Sequence, residues 1–458
     1  MHLHKKLKWL LVFFLIVTAC SFLLNIVVQT PSTMHLKANI TNEFTDDFQL
    51  YLLDSADDEL SEENSVKANY ATPNVTQELK FKMDTNVFKV RFDLGAQPSK
   101  PTLSDIKLTS IYQDYDLPLS NITMKNSNQV SDIKFNETSV SFQTDGTDPY
   151  VYVSIPNSIK NDVLRDNAYI KYFLVIGISL IVSIVMCLLL KIRKDIIHLI
   201  REMVEHRELI YRLSLNDFKT RYAGSYLGVV WAFVQPVITV LIYWFVFEVG
   251  FRSGPVQEVP FILWLVAGIV PWFFFAESLG NSTNSLIEYN YLVKKVVFQI
   301  RVLPFMKIIS SSYVHIFFIL ITLLIYGVYG LYPDIYYIQL IYYSIAAFVM
   351  VYSISLITSS LIVFFKDLGQ IVSLVLQFGM WLTPILWNST MLPSQFRWIL
   401  KINPAYYVVE GYRDSLIYKV WFWERYNQSI YFWLLTAVFF VLGIVIMKKL
   451  KPHFADVL

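Results

Sequence analysis

Lys219-Thr220-Arg221-Tyr222-Ala223-Gly224-Ser225-Tyr226-Leu227-Gly228-Val229-Val230-Trp231-Ala232-Phe233-Val234-Gln235-Pro236 changes chemical character halfway along its length. Its first part holds two cations and a glycine-bounded turn; its second opens an apolar run that continues to Gly250. Such a border marks where a helix enters hydrocarbon, and a crossing takes about 20 mostly apolar residues. Working outward, seven further runs of this kind appear: Trp9–Val28, Tyr169–Leu190, Phe261–Thr283, Phe305–Gly330, Ile338–Phe365, Gln370–Trp387 and Ile430–Met447. Pro236, Pro271 and Pro384 interrupt some of them, which is tolerable because neighbouring helices can satisfy the freed carbonyls. Val17-Thr18-Ala19-Cys20 is similar to a lipoprotein cleavage box, yet the run stays apolar through Phe22, Leu23, Leu24, Ile26, Val27 and Val28. Residues 1–30 are therefore expected to be an uncleaved membrane anchor.

Composition agrees. Of 458 residues, 55% are hydrophobic and only 16% charged, against about 25% charged in ordinary soluble domains. Disordered chains, coiled coils and nucleic-acid-binding domains are excluded, so no nucleic-acid partner is expected. The net charge of +2 hides a division: residues 31–168 hold 12 basic and 21 acidic side chains, and the remainder 26 and 15. Lys5/Lys6/Lys8, Lys191/Arg193/Lys194, Lys294/Lys295/Arg301, Lys366 and Lys448/Lys449/Lys451 all fall on one side of an eight-span chain. The positive-inside bias makes that side the cytoplasm, with both termini there and 31–168 outside. Cys20 and Cys187 lie in apolar runs and read as small apolar fillers.

Within 31–168 the period becomes two, as in Phe88-Lys89-Val90-Arg91-Phe92 and Val140-Ser141-Phe142, with breaks at Gly95, Pro98, Pro101, Asp145-Gly146 and Asp148-Pro149. Short alternating strands with frequent turns predict an antiparallel β-sandwich. Tyr112, Tyr115, Tyr150 and Tyr152 could contact sugar or pack between strands. Asp57-Asp58-Glu59 and Glu62-Glu63 could bind calcium but lack the glycine-containing loop spacing; a solvated face is the plainer reading.

Residues 191–222 are too charged to cross. On a helix, Ile196, Ile197, Leu199, Ile200, Met203, Val204 and Ile210 form one stripe, opposite Asp195, His198, Arg201, Glu202, Glu205, Glu208 and Arg212. That pattern predicts a cytoplasmic amphipathic helix against lipid headgroups. The run Leu213–Pro236 closely resembles the start of type-2 permeases of ATP-binding-cassette (ABC) exporters, the subgroup exporting lipid-linked polysaccharides, O-antigens and teichoic acids. Leu292-Val293-Lys294-Lys295-Val296-Val297-Phe298 with Val302-Leu303-Pro304, Phe365-Lys366-Asp367-Leu368-Gly369, Asn403-Pro404-Ala405 and Gly411-Tyr412-Arg413-Asp414 extend the resemblance over about 191–458. The expected fold is thus an α-helical polytopic membrane protein of eight spans. It comprises an anchor (1–30), an inserted extracellular β-sandwich (31–168), a second span (169–190), the amphipathic interface helix (191–222) and a six-span exporter core (223–458).

The resemblance implies a homodimer joined to two copies of an ABC ATPase subunit that binds ATP and magnesium. The chain has no G-x-x-x-x-G-K-[ST] loop to cradle nucleotide phosphates, so no cofactor and no ATP hydrolysis are expected of it. By the same resemblance, the loop 284–304 receives the ATPase stroke through Glu288, Tyr289, Leu292, Lys294, Lys295 and Arg301. Arg221 and Glu277 lie where an anionic lipid-linked headgroup would enter, with Lys294 and Arg301 as alternative headgroup contacts. A sugar path calls for aromatic faces with polar tips. Trp231, Phe233, Tyr243, Trp244, Trp264, Trp272, Phe273, Phe274, Phe275, Tyr313, Trp381 and Trp387 could supply them, or could equally be belts and packing. Gln235, His315 and Gln377 are further intramembrane polar groups, His315 read as an interhelical hydrogen bond.

Loop 388–428 is long and aromatic. Asn403-Pro404 is a helix start, so two re-entrant half-helices, 393–401 and 404–418, are expected to form an outer gate with Arg397, Asn403, Pro404, Tyr406, Tyr407 and Arg413. The expected function is the permease subunit of an ABC exporter of a lipid-linked surface polysaccharide or teichoic acid. The alternatives are a drug or lipid exporter, a regulator of glycan chain length, and a membrane glycosyltransferase, which would need acidic metal or base residues clustered beside the membrane on one side; the sequence holds no such set.

Overall fold

The computed structural model describes residues 2–27, 30–53, 61–110, 113–252, 254–256, 259–294, 299–393 and 396–458. Lys295, Tyr112 and Asp57-Asp58-Glu59 lie outside the described residues. The chain divides into two compact units, 1–183 and 184–458.

The first unit opens with α1 (His2–Val27) and continues into β1 (Thr33–Thr41), β2 (Asp46–Leu53), β3 (Ser65–Tyr70), β4 (Gln77–Asp84), β5 (Lys89–Asp93), β6 (Thr102–Thr109), β7 (Asp114–Asp116), β8 (Ile122–Asn128), β9 (Val130–Phe135), β10 (Ser139–Thr144) and β11 (Tyr150–Ser154). The period-two expectation holds: two antiparallel sheets form, ordered β4-β1-β6-β10-β9 with β7 on β6, and β3-β2-β5-β11-β8. Alternate residues turn inward, so Leu36, Phe48, Phe81, Phe92, Phe142 and Val151 build one apolar core. The first turns of α2 (Asn157–Glu205) close it, Val163 entering the core and Asp166 accepting from the Tyr115 hydroxyl at 2.6 Å.

The second unit holds the rest of α2, then α3 (Arg207–Thr220), α4 (Trp231–Trp244), α5 (Phe261–Thr283), α6 (Ser285–Glu288), α7 (Asn290–Val293), α8 (Val302–Val328), α9 (Gln339–Ile362), α10 (Leu368–Leu382), α11 (Arg397–Ile402), α12 (Pro404–Arg413), α13 (Tyr426–Leu450) and α14 (Phe454–Val457). Six helical stretches among the described residues are long and apolar enough to cross a membrane: Asn157–Glu205, Gly228–Gly250, Phe261–Thr283, Val302–Val328, Ile335–Ile362 and Tyr426–His453. Two of the eight expected spans fall on α1, whose stretch Leu10–Asn25 is apolar, and on a shorter apolar helix, Leu368–Leu382. The second of these ends at 15 residues, about 22 Å at 1.5 Å per residue, because Thr383 turns extended ahead of Pro384. The stretch 191–222 is two helices, the end of α2 and then α3, parted at His206.

Helix α5 is the centre of this unit, buried along most of its length, whereas α4 buries only Ala232 and α10 only Val372. Gly224 and Gly228 both adopt positive φ, and a Cβ on either would meet nothing within 4 Å. Their role is therefore the left-handed turn that admits the chain to α4, not close helix contact. Gly411 is the opposite case. A Cβ there would fall 2.1 Å from the ring of Tyr343, which is fully buried. Gly411→Ala is expected to cost roughly 1–3 kcal/mol by overpacking, read as a lowered melting temperature of the purified protein.

Candidate functional site

Asp217 and Arg221 sit one turn apart on and just after α3, so both present to the same side. Arg221 bridges inward, its Nη1 donating to Glu277 Oε1 on α5 at 2.5 Å and its Nη2 to Asp217 Oδ2 at 3.0 Å and Ser310 Oγ at 3.2 Å. Asp217 Oδ1 meets the Lys307 ammonium from α8 at 2.6 Å and accepts from the Tyr289 hydroxyl at 3.0 Å. Lys307 also pairs with Glu288, at the end of α6. Ser311 donates to Glu277 at 3.3 Å and Asn281 to Ser311 at 3.3 Å. Two cations and three carboxylates thus form one connected network over α3, α5, α6 and α8.

The centre of the network is out of water, the side chains of Lys307 and Asp217 being 6% and 5% exposed, while Glu277 and Glu288 at its ends are 30% and 48% exposed. Burial pushes the Asp217 carboxyl up. The Lys307 hydrogen bond and field, helped by Ser310 and Arg221, more than reverse this, and Asp217 is held below the ordinary carboxylate range. Burial likewise opposes the charge on Arg221, but the Glu277 and Asp217 carboxylates raise its pKa above the usual value. Both groups stay ionised. Two cavities of about 310 Å³ each are lined in part by Arg221. One also touches Trp231, Gln235, Phe273 and Glu277; the other Asp217, Glu288, Tyr289 and Lys307.

Of the coupling candidates, Glu288 and Tyr289 belong to this network; Leu292 packs against the core, Lys294 is exposed at the end of α7, and Arg301 caps α8 through backbone position only. Arg221 and Glu277, read as headgroup contacts, are brought together as each other's partners. Lys307 and Asp217 were not singled out from sequence. Lys307 is the lone cation inside an apolar run, and the rule that flagged Glu277 and His315 applies equally to it.

The aromatic candidates separate by burial. Trp264 and Trp272 are buried in α5, with Phe275 stacked on Trp272 at 5.8 Å. Phe233 packs 4.2 Å from Phe317, Phe273 and Trp244 pack against the core, and Phe274 stacks on His315 at 4.3 Å. Tyr313 hydrogen-bonds Ser214 at 2.9 Å, joining α8 to α3, and Tyr243 approaches Met380 at 3.9 Å. Trp231 and Trp381 are 43% and 57% exposed, and the Trp387 indole donates to Trp381 O at 2.9 Å. His315 is an interhelical tie, its Nε2 lying 2.9 Å from the Tyr412 hydroxyl and 3.2 Å from Ser344 Oγ.

In segment 388–428 Asn403 accepts from Ala405 N–H at 3.0 Å with Pro404 first in α12, and its amide donates to Thr383 Oγ1 at 2.7 Å. Tyr407 shares its hydroxyl with Tyr342 and Ser429 at 3.0 and 2.9 Å, while Tyr406 is buried beside it. Arg397 donates to Leu392 O and Thr390 O, both at 3.0 Å. Arg413 is fully buried. It donates to Pro384 O at 2.7 Å, Glu410 Oε1 at 2.7 Å and Ile385 O at 3.1 Å, and stacks 3.5 Å over Trp264.

Comparison with known proteins gives this arrangement a family. The ABC-2 type transporter family matches residues 208–417. The O-antigen export system permease protein RfbA of Klebsiella pneumoniae is 31% identical over 252 residues, 55% of this chain and 95% of the relative. RfbA of Myxococcus xanthus is 27% identical over 219 residues, 47% of this chain and 83% of the relative. The polysialic acid transport protein KpsM of Escherichia coli is 27% identical over 218 residues, 45% and 80%. The matched segment begins in α3 and ends beyond α12, and so contains the whole ion-pair network and the Arg413 cluster. The chain belongs to the ABC-2 type transporter family of membrane permeases.

Proposed function

We propose that this chain is the permease subunit of an ATP-driven exporter carrying a lipid-linked cell-surface polysaccharide across the cytoplasmic membrane. The observation that carries the reading is the near-complete coverage of an O-antigen export permease, together with a family match over 208–417 that includes the Asp217–Arg221–Glu277–Lys307–Glu288 network. In this reading two copies pair, and each takes its stroke from a separate ABC ATPase subunit holding ATP and magnesium. Segment 284–304 receives the stroke, with both termini on the cytoplasmic side, eight spans, and residues 31–168 outside. The network supports the mechanical part. Glu288 is in the docking segment, and Lys307 and Asp217 connect it to Arg221 and Glu277 at a cavity lined by Trp231 and Phe273. A push on α6 therefore moves charges that contact the entry cavity, and no carboxylate is left unpaired on the way. The exposed apolar faces of α4 and α10 are surfaces for lipid or the second copy.

The test is depletion of the chain in its producing cell. Surface polysaccharide should fall and lipid-linked polymer should accumulate inside, as read by extraction and gel analysis. Unchanged surface polymer with no internal accumulation would sink the proposal.

A further inference from the structure

The outward face of the five-stranded sheet carries side chains that transport through the membrane leaves unused. Strand register arranges them in two rows across all five strands. Ser65, Tyr51, Arg91, Tyr152 and Thr123 lie side by side in one; Lys67, Gln49, Asp93, Tyr150 and Asn128 in the next. Their neighbours along the strands, Leu50, Val90, Phe92, Val151 and Val153, are buried in the sandwich core, so the pleat directs both rows outward.

Arg91 is the centre of the face. Its guanidinium lies 3.8 Å from the Tyr150 ring centroid and 5.1 Å from that of Tyr51. It donates to Asp93 at 2.7 and 3.0 Å and to Asp148 at 2.5 Å. The Lys89 ammonium sits 3.8 Å from the Tyr152 centroid, and Tyr150 and Tyr152 meet edge to face at 5.7 Å. Asn128 donates to Asp148 O at 2.8 Å, and the Tyr51 hydroxyl to Glu62 at 2.6 Å. Cations therefore pin three half-buried rings in fixed orientations, which lowers the ordering cost of any ligand that stacks on them. Carboxylates and amides border the rings, and the charges largely cancel. The outward rows of β1, β4, β6 and β10 on the other sheet hold His35, Lys37, Lys80, Lys82 and Lys107 but no Tyr, Phe or Trp. Tyr115 on β7 and Phe135 on β9 pair with the core residues Leu108 and Val140 and so lie on the inner side. Among the described strands, outward tyrosines thus belong to one face.

A pyranose has an apolar C–H face and a rim of hydroxyls, the complement of a pinned ring bordered by acceptors and amides. A polyanion would meet Asp93, Asp148 and Glu62; a protein partner would find too little apolar area on these half-buried rings. We propose that this face of the sandwich is a binding platform for an extended, largely neutral glycan, with Tyr150 and Tyr152 as its stacking surfaces. The identification of that glycan with the exported polymer rests on the export reading; the platform itself does not.

The experiment uses the full-length chain in lipid nanodiscs, titrated with delipidated surface polysaccharide from the producing cells and, separately, with peptidoglycan oligosaccharides from the same cells. At least one glycan should bind, and which of them does so assigns the source. Y150A/Y152A should weaken that binding by about tenfold or more, while Y150F/Y152F, which keeps the faces, should retain most of it. Hydroxyl-radical footprinting of the unsubstituted protein gives a readout independent of variant folding. Glycan should protect Tyr150 and Tyr152 and leave Phe135 on the other sheet unchanged. Binding of neither glycan, or binding that leaves the Y150A/Y152A affinity and the tyrosine footprint unaltered, overturns the platform. Failure here in cells whose export still requires the chain leaves the export reading standing; normal export without the chain overturns that reading whatever the sandwich binds.

Discussion

Lys307→Met should be among the most damaging single substitutions in the second unit, and Lys307→Met with Asp217→Asn should be far milder in stability. Lys307 is held between Asp217 and Glu288 with 6% of its side chain exposed. Removing it leaves Asp217, itself 5% exposed, to share the Arg221 guanidinium with Glu277, one buried cation against two carboxylates, and breaking a buried pair from one side typically costs about 3–5 kcal/mol. Neutralising both members removes the excess negative charge, and such paired replacements are often close to neutral. Thermal melting of the purified protein should therefore fall sharply in the single variant and recover in the double. Export separates the two roles of the network. If it carries the stroke from Glu288 to Arg221 and Glu277, the double variant should melt like the unsubstituted chain yet export poorly in cells. A double variant that melts and exports normally would reduce the network to a structural clamp.

The apolar runs and the alternating module were legible because their periods are local: hydrocarbon thickness sets one, the pleat sets the other. Asn403-Pro404 was legible for the same reason, since a cap is decided within three residues. Strand pairing was not. Tyr51, Arg91 and Tyr152 become neighbours only through register between β2, β5 and β11, and no local pattern states that register. Among the aromatics, Trp264 and Trp381 look alike in sequence, yet one lies under Arg413 in buried α5 and the other is exposed on α10. Residue type cannot distinguish a packed tryptophan from an exposed one. Arg221 was read as a contact for an anionic headgroup; the structure pairs it with Asp217 and Glu277. Asp217 lies one turn away, within reach of local pattern, whereas Glu277 is 56 residues on and is brought there only by the packing of α5.

Arg413→Lys is expected to destabilise the protein despite keeping the charge, and Arg413→Ala to do so by about 3–5 kcal/mol, the usual cost of breaking a buried pair. The guanidinium is wholly buried and uses its planar fork on three acceptors at once, Pro384 O, Ile385 O and Glu410 Oε1. The two carbonyls belong to the non-helical turn after α10, and buried backbone carbonyls that no helix satisfies need a protein donor. A lysine ammonium is a point donor; it cannot span both carbonyls and Glu410 while stacking flat on Trp264 as Arg413 does at 3.5 Å. Gly268 on α5 leaves the room for this fork, since a Cβ there would lie 2.6 Å from Arg413 Nη2. Gly268→Ala should therefore reproduce part of the Arg413→Lys loss without touching any charge. Melting of the three variants measures the effect, and proteolysis between Thr383 and Trp387 shows whether that turn opens. If Arg413→Lys melts with the unsubstituted chain and the turn stays protected, the charge alone suffices and the fork geometry has no part in holding the turn after α10. Loss in both Arg413→Lys and Gly268→Ala would locate the hold in the fork itself, joining α5, α12 and the turn at one side chain.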